Sequence, residues 1–241
     1  MIKKEFSLYA MQLFAPLEGS KELRAQFETK ELLFRPTVST DKHALDKTCF
    51  GNATTMSTYA NREPQPFKRT NNRCVEHEAR RESGNPLHGF TIIEKSSGHI
   101  IGLVNSGAGI TDENDNPIAG DSELGIIIHH EKWGNGYGPQ AVKAIVDHYL
   151  PLLRAHGFEN HGKIITTSSA TVLKEGNERS VKMLSAVYGQ NADAMDGIIK
   201  YSADERLLAS KEVRADQAAY DAFISFEKFE DDSAPALVPA P

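Results

Sequence analysis

The chain is 241 residues long, 39% hydrophobic and 25% charged, with a formal net charge of −6. That size supports a substantial core in one domain with extensions, and no uncharged apolar run approaches the roughly 18 residues a membrane-spanning helix requires. The acidic balance speaks against general nucleic-acid binding, which calls for clustered Lys and Arg; a cationic substrate fits it better.

Residues 1–28 are mildly amphipathic and are expected to form a helical or irregular N-terminal extension. Their basic start, Lys3-Lys4, is interrupted by Glu5 and no small-x-small cleavage site follows, so no secretory signal is expected. The run from Glu31 to Val38 reads as a first strand. Residues 39–86 are polar and helix-leaning, with Asp41 as an N-cap and Arg62-Glu63-Pro64-Gln65-Pro66 as a break. The two cysteines, Cys49 and Cys74, have neither metal nor redox spacing; they are expected to be free thiols in a reducing cytoplasm.

Phe90 to Lys95 and His99 to Val104 alternate in polarity around Ser96-Ser97-Gly98 and predict a hairpin. The acidic run Asp112 to Pro117 has proline where a calcium loop needs glycine and lacks the closing glutamate, so it reads as a solvated hairpin loop and no metal site is expected. After it the apolar block Leu124 to Ile128 predicts a core strand, followed at once by Trp133-Gly134-Asn135-Gly136-Tyr137-Gly138-Pro139. Glycines let main-chain N–H groups approach a ligand, and Pro139 suits the first turn of a helix, where free amides and the macrodipole favour phosphate. Ala141, Val142, Ile145, Val146, Tyr149 and Leu150 place an apolar stripe on that helix, which Gly157 ends.

The spacing excludes the two commonest phosphate loops: no Lys-Ser or Lys-Thr follows, as a nucleotide-hydrolysing loop needs, and Gly-x-Gly-x-Gly is not Gly-x-Gly-x-x-Gly. It resembles the diphosphate loop of the GNAT N-acyltransferase superfamily, with Gly136 and Gly138 in the glycine places and Trp133 in the place of the usual Gln or Arg. Tryptophan there is similar to the branch containing the ribosomal-protein alanine N-acetyltransferases. Asn177-Glu178-Arg179-Ser180-Val181-Lys182-Met183-Leu184, after the strand-like Lys163 to Thr167, resembles the family's Asn-x-x-Ser-x-x-x-Leu helix. The chain departs from the family at Val187-Tyr188-Gly189, where Gly-Phe is usual one residue earlier.

The resemblance implies an α+β fold, with a central, mostly antiparallel, splayed sheet flanked by helices, spanning 29–230 before a flexible tail at 231–241. It implies acetyl-CoA-dependent acetylation of a primary amine, a protein N-terminus or a small molecule, by direct attack in a ternary complex, and leaves room for a homodimer. Ile126, Ile127 and Ile128 are expected to pair through their main chains with the pantetheine arm. Trp133, Gly134, Asn135, Gly136, Tyr137, Gly138 and Pro139 are expected at the diphosphate, and Asn177 either at the cofactor arm or as a plain N-cap. Glu123 stands where several members carry a catalytic base, and Ser180 or Tyr188 is the expected acid for the departing thiolate.

His129 and His130 are expected on opposite faces of a strand end, unable to chelate together. Gly197 to Tyr201 and Ala222 to Phe229 read as closing strands around a helix-prone insert, 203–219. The rival to an enzyme is a catalytically silent acyl-CoA-binding module that senses the cofactor or mediates assembly.

Overall fold

Leu32, Phe34 and Pro36 are buried while Leu33 and Arg35 between them are half-buried, the period-two pattern of a strand with one face on a core. In the computed structural model, which describes residues 8–14, 24–107, 116–155, 157–189, 192–195 and 198–203, this segment is β3 (Leu32–Pro36) of a nine-stranded sheet. The chain enters by β1 (Leu8–Phe14) and β2 (Arg24–Thr29), and continues after β3 with β4 (Gly89–Glu94), β5 (His99–Ser106) and β6 (Asp121–Ile128). A small hairpin, β7 (Glu159–Asn160) and β8 (Lys163–Ile164), precedes β9 (Thr167–Leu173), β10 (Ala192–Met195) and β11 (Ile198–Ala203). The strand order is β1-β2-β3-β4-β5-β6-β9-β11-β10.

Every neighbouring pair is antiparallel except β6 and β9, which run parallel. A parallel pair needs a helical crossover, supplied by α4 (Tyr137–Lys143), which continues through a π-helical stretch, Ala144–Tyr149, into α5 (Leu150–Ala155). Pro151 has no N–H to return to the preceding turn, and the widened stretch lies directly before it. On the other face lie α1 (Lys42–Leu45), a π turn at Asp46–Phe50, α2 (Ala53–Met56) and α3 (Phe67–Glu82), while α6 (Glu178–Tyr188) follows β9. Helices thus cover both faces of a mostly antiparallel sheet, the α+β architecture expected.

Two cores result. On the α4–α6 face, Phe27 stacks on Phe34 at 4.9 Å and Phe90 meets Tyr149 edge-on at 5.0 Å, the Tyr149 hydroxyl being satisfied by the Pro86 carbonyl at 2.7 Å. On the α3 face, Leu45, Cys49, Phe50, Met56 and Cys74 pack on Leu103 and Ile127. Both cysteines are free and buried; burial pushes their thiols up to about 12 and about 11, so they stay protonated.

Three local expectations differ from what forms, and one strand forms that was not expected. Residues 8–14 and 24–29 are strands rather than a helical or irregular lead-in, because β2 pairs with β3 and buries Ala25 and Phe27. Asp41 takes the N-cap position of α1 but makes no side-chain bond to that helix; its carboxylate instead takes two bonds from Arg35 at 2.6 and 2.8 Å, one from Thr91 at 2.7 Å and one from Val38 N at 3.1 Å. The strand expected at 163–167 divides: Lys163 and Ile164 form the small hairpin and the sheet strand begins at Thr167. The predicted strand at 197–201 forms as β11, joined by β10, which the sequence pattern did not suggest. The acidic loop at 112–115, the insert from 204, the strand expected at 222–229 and the tail lie outside the described residues.

Candidate functional site

β6 and β9 pair over three positions only, Asp121 with Thr167, Ser122 with Ser168 and Glu123 with Ser169. Beyond Glu123 the strands part, while β6 stays paired to β5 as far as Ile128. Glu123 O accepts from Gly107 N at 2.6 Å and His129 N donates to Ile101 O at 2.8 Å, so the odd-numbered peptides of β6 face β5. By strand alternation the even-numbered ones, at Leu124, Ile126 and Ile128, face the gap. Of the three isoleucines singled out from sequence, Ile126 and Ile128 therefore present main-chain groups to the opening, whereas Ile127 turns its own to β5.

The glycine loop sits at the wide end of this fork. Gly134 and Gly136 have φ of +83° and +80°, which glycine alone adopts without strain, and a Cβ on Gly134 would meet nothing within 4 Å. Backbone handedness, not crowding, dictates glycine there. At Gly138 the reason is packing, since a Cβ would come within 2.7 Å of Met183 Sδ on α6. The amides of Gly134, Asn135 and Gly136 find no backbone acceptor among the described residues; together with the first turn of α4, which holds Pro139, they form a cluster of free donors.

The loop's side chains fasten it rather than face outward. Trp133 Nε1 donates to Ile128 O at 2.7 Å, and Asn135 Nδ2 to Lys132 O at 3.2 Å. Glu94 gathers Lys132 Nζ at 2.7 Å, Ser97 Oγ at 2.7 Å and the Tyr137 hydroxyl at 3.0 Å. These donors hold its carboxyl at about 2 and tie the β4–β5 hairpin to the loop. Gln140, buried in α4, bonds Thr29 and Glu31 at 2.6 and 2.8 Å. Lys132 is engaged, and Arg179 brings a second cation beside the loop, its guanidinium 5.7 Å from the centre of the Trp133 ring. Sequence reading passed over Arg179; its position two residues after Asn177 was the available signal.

Glu123 stands at the vertex of the fork, half-buried. Its pKa is raised, first by burial and then by the neighbouring Asp121 carboxylate, while Asp121 itself accepts from Ser169 at 2.6 Å and Thr167 at 3.0 Å. Glu123 opens on a cleft of about 460 Å³ lined by α3 on one side, by Asn105 and Gly125 on the other, and by Tyr59. Gly125 is needed there because a Cβ would sit 2.6 Å from Asn105 Oδ1.

On α6, Tyr188 is 3% exposed and its hydroxyl lies 3.0 Å from Ser168 Oγ. Ser168 pairs with Ser122, so Tyr188 reaches the fork. Burial raises its pKa well above the ordinary phenol value, keeping it protonated. Ser180 lies eight residues earlier, near the start of α6, roughly 12 Å along a helix axis at 1.5 Å per residue. Asn177 makes no side-chain cap; its Nδ2 donates to Thr58 O at 2.9 Å. Arg62 bonds the Glu175 carbonyl and Thr55 bonds His130 N at 3.1 Å, so residues 55–62 reach both lips of the fork. The His129 and His130 rings, expected apart, are 4.6 Å apart edge-on because the chain leaves the strand for a 3-10 turn. No cluster of three metal-ligating side chains occurs among the described residues, nor any helix long and apolar enough to cross a membrane.

Comparison with known proteins agrees with this geometry. No curated protein matches the chain. A GNAT acetyltransferase from Bacillus anthracis superposes with a TM-score of 0.54 at 13% identity, over 75% of this chain and 99% of that one. The ribosomal-protein-S5-alanine acetyltransferase of Vibrio fischeri gives 0.56 at 18%, over 75% and 96%. RimL, a ribosomal L7/L12 alpha-N-protein acetyltransferase in complex with coenzyme A, gives 0.51 at 14%, over 73% and 94%. At these identities the likeness establishes the fold. The acetyltransferase (GNAT) domain model matches residues 31–187, well over half of the chain, and the protein belongs to that family.

Proposed function

We propose that the protein transfers an acetyl group from acetyl-CoA to a primary amine by direct attack within a ternary complex. The observation that carries this reading is the fork: unpaired main chain on β6, free amides at its wide end and a carboxylate of raised pKa at its vertex lie along one line. The residues fit a diphosphate joined to an extended amide-bearing arm. Gly134, Asn135, Gly136 and the first turn of α4 offer donors to the phosphates, with Arg179 alongside. Ile126, and Ile128 through its N–H, offer a strand edge to the arm, the Ile128 carbonyl being taken by Trp133.

Acetyl-CoA supplies an activated acyl group on a thiol leaving group. Glu123 takes the proton from the attacking amine; a raised carboxylate pKa brings the base nearer to neutrality, where transfer from an amine of pKa about 10.4 is most effective. The proton for the departing thiolate comes from α6, and Tyr188 is the member of the Ser180–Tyr188 pair that reaches the vertex. The amine enters by the polar cleft in front of Glu123. The test is release of free thiol from acetyl-CoA across a panel of amines. If acetyl-CoA binds yet no protein N-terminus, polyamine, aminoglycoside or amino acid releases thiol, the reading fails and a silent acyl-CoA-binding module takes its place.

A further inference from the structure

The cleft in front of Glu123 is not a generic amine pocket. On α3, Arg69, Asn72, Arg73 and Glu76 follow one another at i, i+3, i+4 and i+7 and line it as a single helix face. Thr70 and Cys74, each next in sequence to one of the arginines, are buried, Thr70 bonding Asp46 at 2.8 Å and Cys74 packing with Leu103 and Ile127 of the sheet. Arg69 and Arg73, one turn apart, therefore line the same cleft as Glu123.

Arg73 is held in place without being neutralised. Its guanidinium stacks over the Phe50 ring at 4.1 Å, and one Nη donates to the Oε1 of buried Gln65 at 3.2 Å. Neither partner carries charge, and no carboxylate bridges Arg73 or Arg69 among the described residues. An arginine fixed by an aromatic face and one amide keeps other N–H donors free, and such a fork matches a carboxylate or phosphate in two-point geometry.

A third residue of the wall is buried. His77 is 7% exposed, lines the cleft, and its Nδ1 has no hydrogen-bond partner. The ring edge carrying Cδ2 and Nε2 is pressed toward Gly89, which turns the Nδ1 edge the other way. A buried polar atom left unmade costs about 1–3 kcal/mol, and this one belongs to a residue of the cleft wall.

Resting on the reading that this cleft admits the amine, we propose that the acceptor is a small zwitterion: a primary amine presented to Glu123, carrying a carboxylate or phosphate that Arg69 and Arg73 bind. The cleft volume suits a metabolite-sized molecule. The guanidinium pair disfavours polyamines and aminoglycosides, whose second cation would face it.

The experiment compares acceptors matched in length on the intact protein: ω-amino acids of increasing chain length and aminoalkyl phosphates, against the corresponding diamines and amino-amides. Thiol release gives kcat/KM, and calorimetric titration of each compound gives binding independently of turnover. Expected is at least a tenfold preference for one anionic series, carboxylate or phosphate, over its matched amide and diamine. In Arg69→Gln and Arg73→Gln that preference collapses through KM, the anionic acceptor falling toward the KM of its matched amide. Arg69 is exposed and has no structural partner among the described residues, so loss of preference in Arg69→Gln is not a folding effect. Equal binding of the amino acid, amide and diamine, or an equal loss for all three in both variants, overturns the proposal. If no amine releases thiol but the anionic compounds still bind through Arg69 and Arg73, the transferase reading fails and the anion subsite stands.

Discussion

The indole Nε1 of Trp133 donates a 2.7 Å hydrogen bond to the carbonyl oxygen of Ile128, closing the last peptide of β6 onto the loop that follows. In the family's loop pattern this place usually holds Gln or Arg. Here the ring covers a carbonyl on the gap side of the strand and backs the Arg179 guanidinium. The loop is therefore set in shape by Trp133, Glu94 and Gly136.

Replacing Gly136 by Asp should abolish the rise in thermal stability that acetyl-CoA produces. The φ of +80° at Gly136 costs a non-glycine residue roughly 1–2 kcal/mol, and the new carboxylate repels the diphosphate. Saturating ligand at 100 times Kd adds about 2.7 kcal/mol to the wild-type protein. Gly136→Ala, which carries the strain without the charge, should retain part of that shift. Differential scanning fluorimetry of the three proteins decides it, and an undiminished shift in the Asp variant rules out the loop as the diphosphate site.

Glu123→Gln should leave acetyl-CoA affinity nearly intact and lower kcat by about 10² or more. On the proposed mechanism wild-type turnover requires the ionised carboxylate, and its raised pKa should place the acid limb of the rate profile above the ordinary carboxylate range. In the variant that limb disappears, and activity climbs instead toward the pKa of the free amine. A pH–rate profile of each protein separates the two shapes; full neutral-pH activity in the variant would assign deprotonation elsewhere, with Asp121 or main-chain carbonyls as candidates.

Tyr188→Phe should slow turnover by roughly 10²-fold with cofactor binding retained, while Ser180→Ala changes little. The prediction follows from position, since Tyr188 meets Ser168 at the vertex and Ser180 lies toward the wide end. Single-turnover kinetics on both variants measures the chemical step directly. The reverse pattern would transfer the role to Ser180, and two fully active variants would mean that the thiolate takes its proton from water.

Stability should fall as pH drops from about 6.5 toward about 4 because of two buried histidines. Burial holds His77 at about 3 and His88 at about 4, against about 6.5 in an unfolded chain. Below pH 6.5 the unfolded chain therefore binds protons that the native one refuses, and each histidine removes up to roughly 1.4 kcal/mol per pH unit until its folded pKa is reached. Glu94, held at about 2, adds its loss only below the carboxylate range, and Glu123, raised, acts in the opposite sense. Denaturation midpoints across this window should flatten in His88→Gln; an unchanged slope would show that the native state admits the proton after all.

The fork's parts were unequally legible in the chain. The glycine loop and the Asn177 helix announced themselves because fixed spacing there serves main-chain geometry, which few residue types satisfy. β9 did not, because Ser168, Ser169 and Thr171 break the apolar pattern, and its buried hydroxyls are matched by Asp121 and Tyr188, far away in sequence. Asp41 looked like a cap because aspartate often is one; only the fold brings Arg35 and Thr91 to it. The acceptor wall was illegible for a similar reason: Arg69, Arg73 and His77 read as an ordinary polar helix until β6 is placed opposite.

An open seam between β6 and β9 leaves strand-edge hydrogen-bonding groups in the middle of a sheet, where most proteins leave none. Outer edges are guarded against adhesive pairing by short strands, charges or covers; this inner one is guarded by its narrowness and by residues 55–62, which bridge its lips. Protein purified free of acyl-CoA should consequently be the form most prone to self-association on mild heating, and storage with coenzyme A should extend its shelf life in solution.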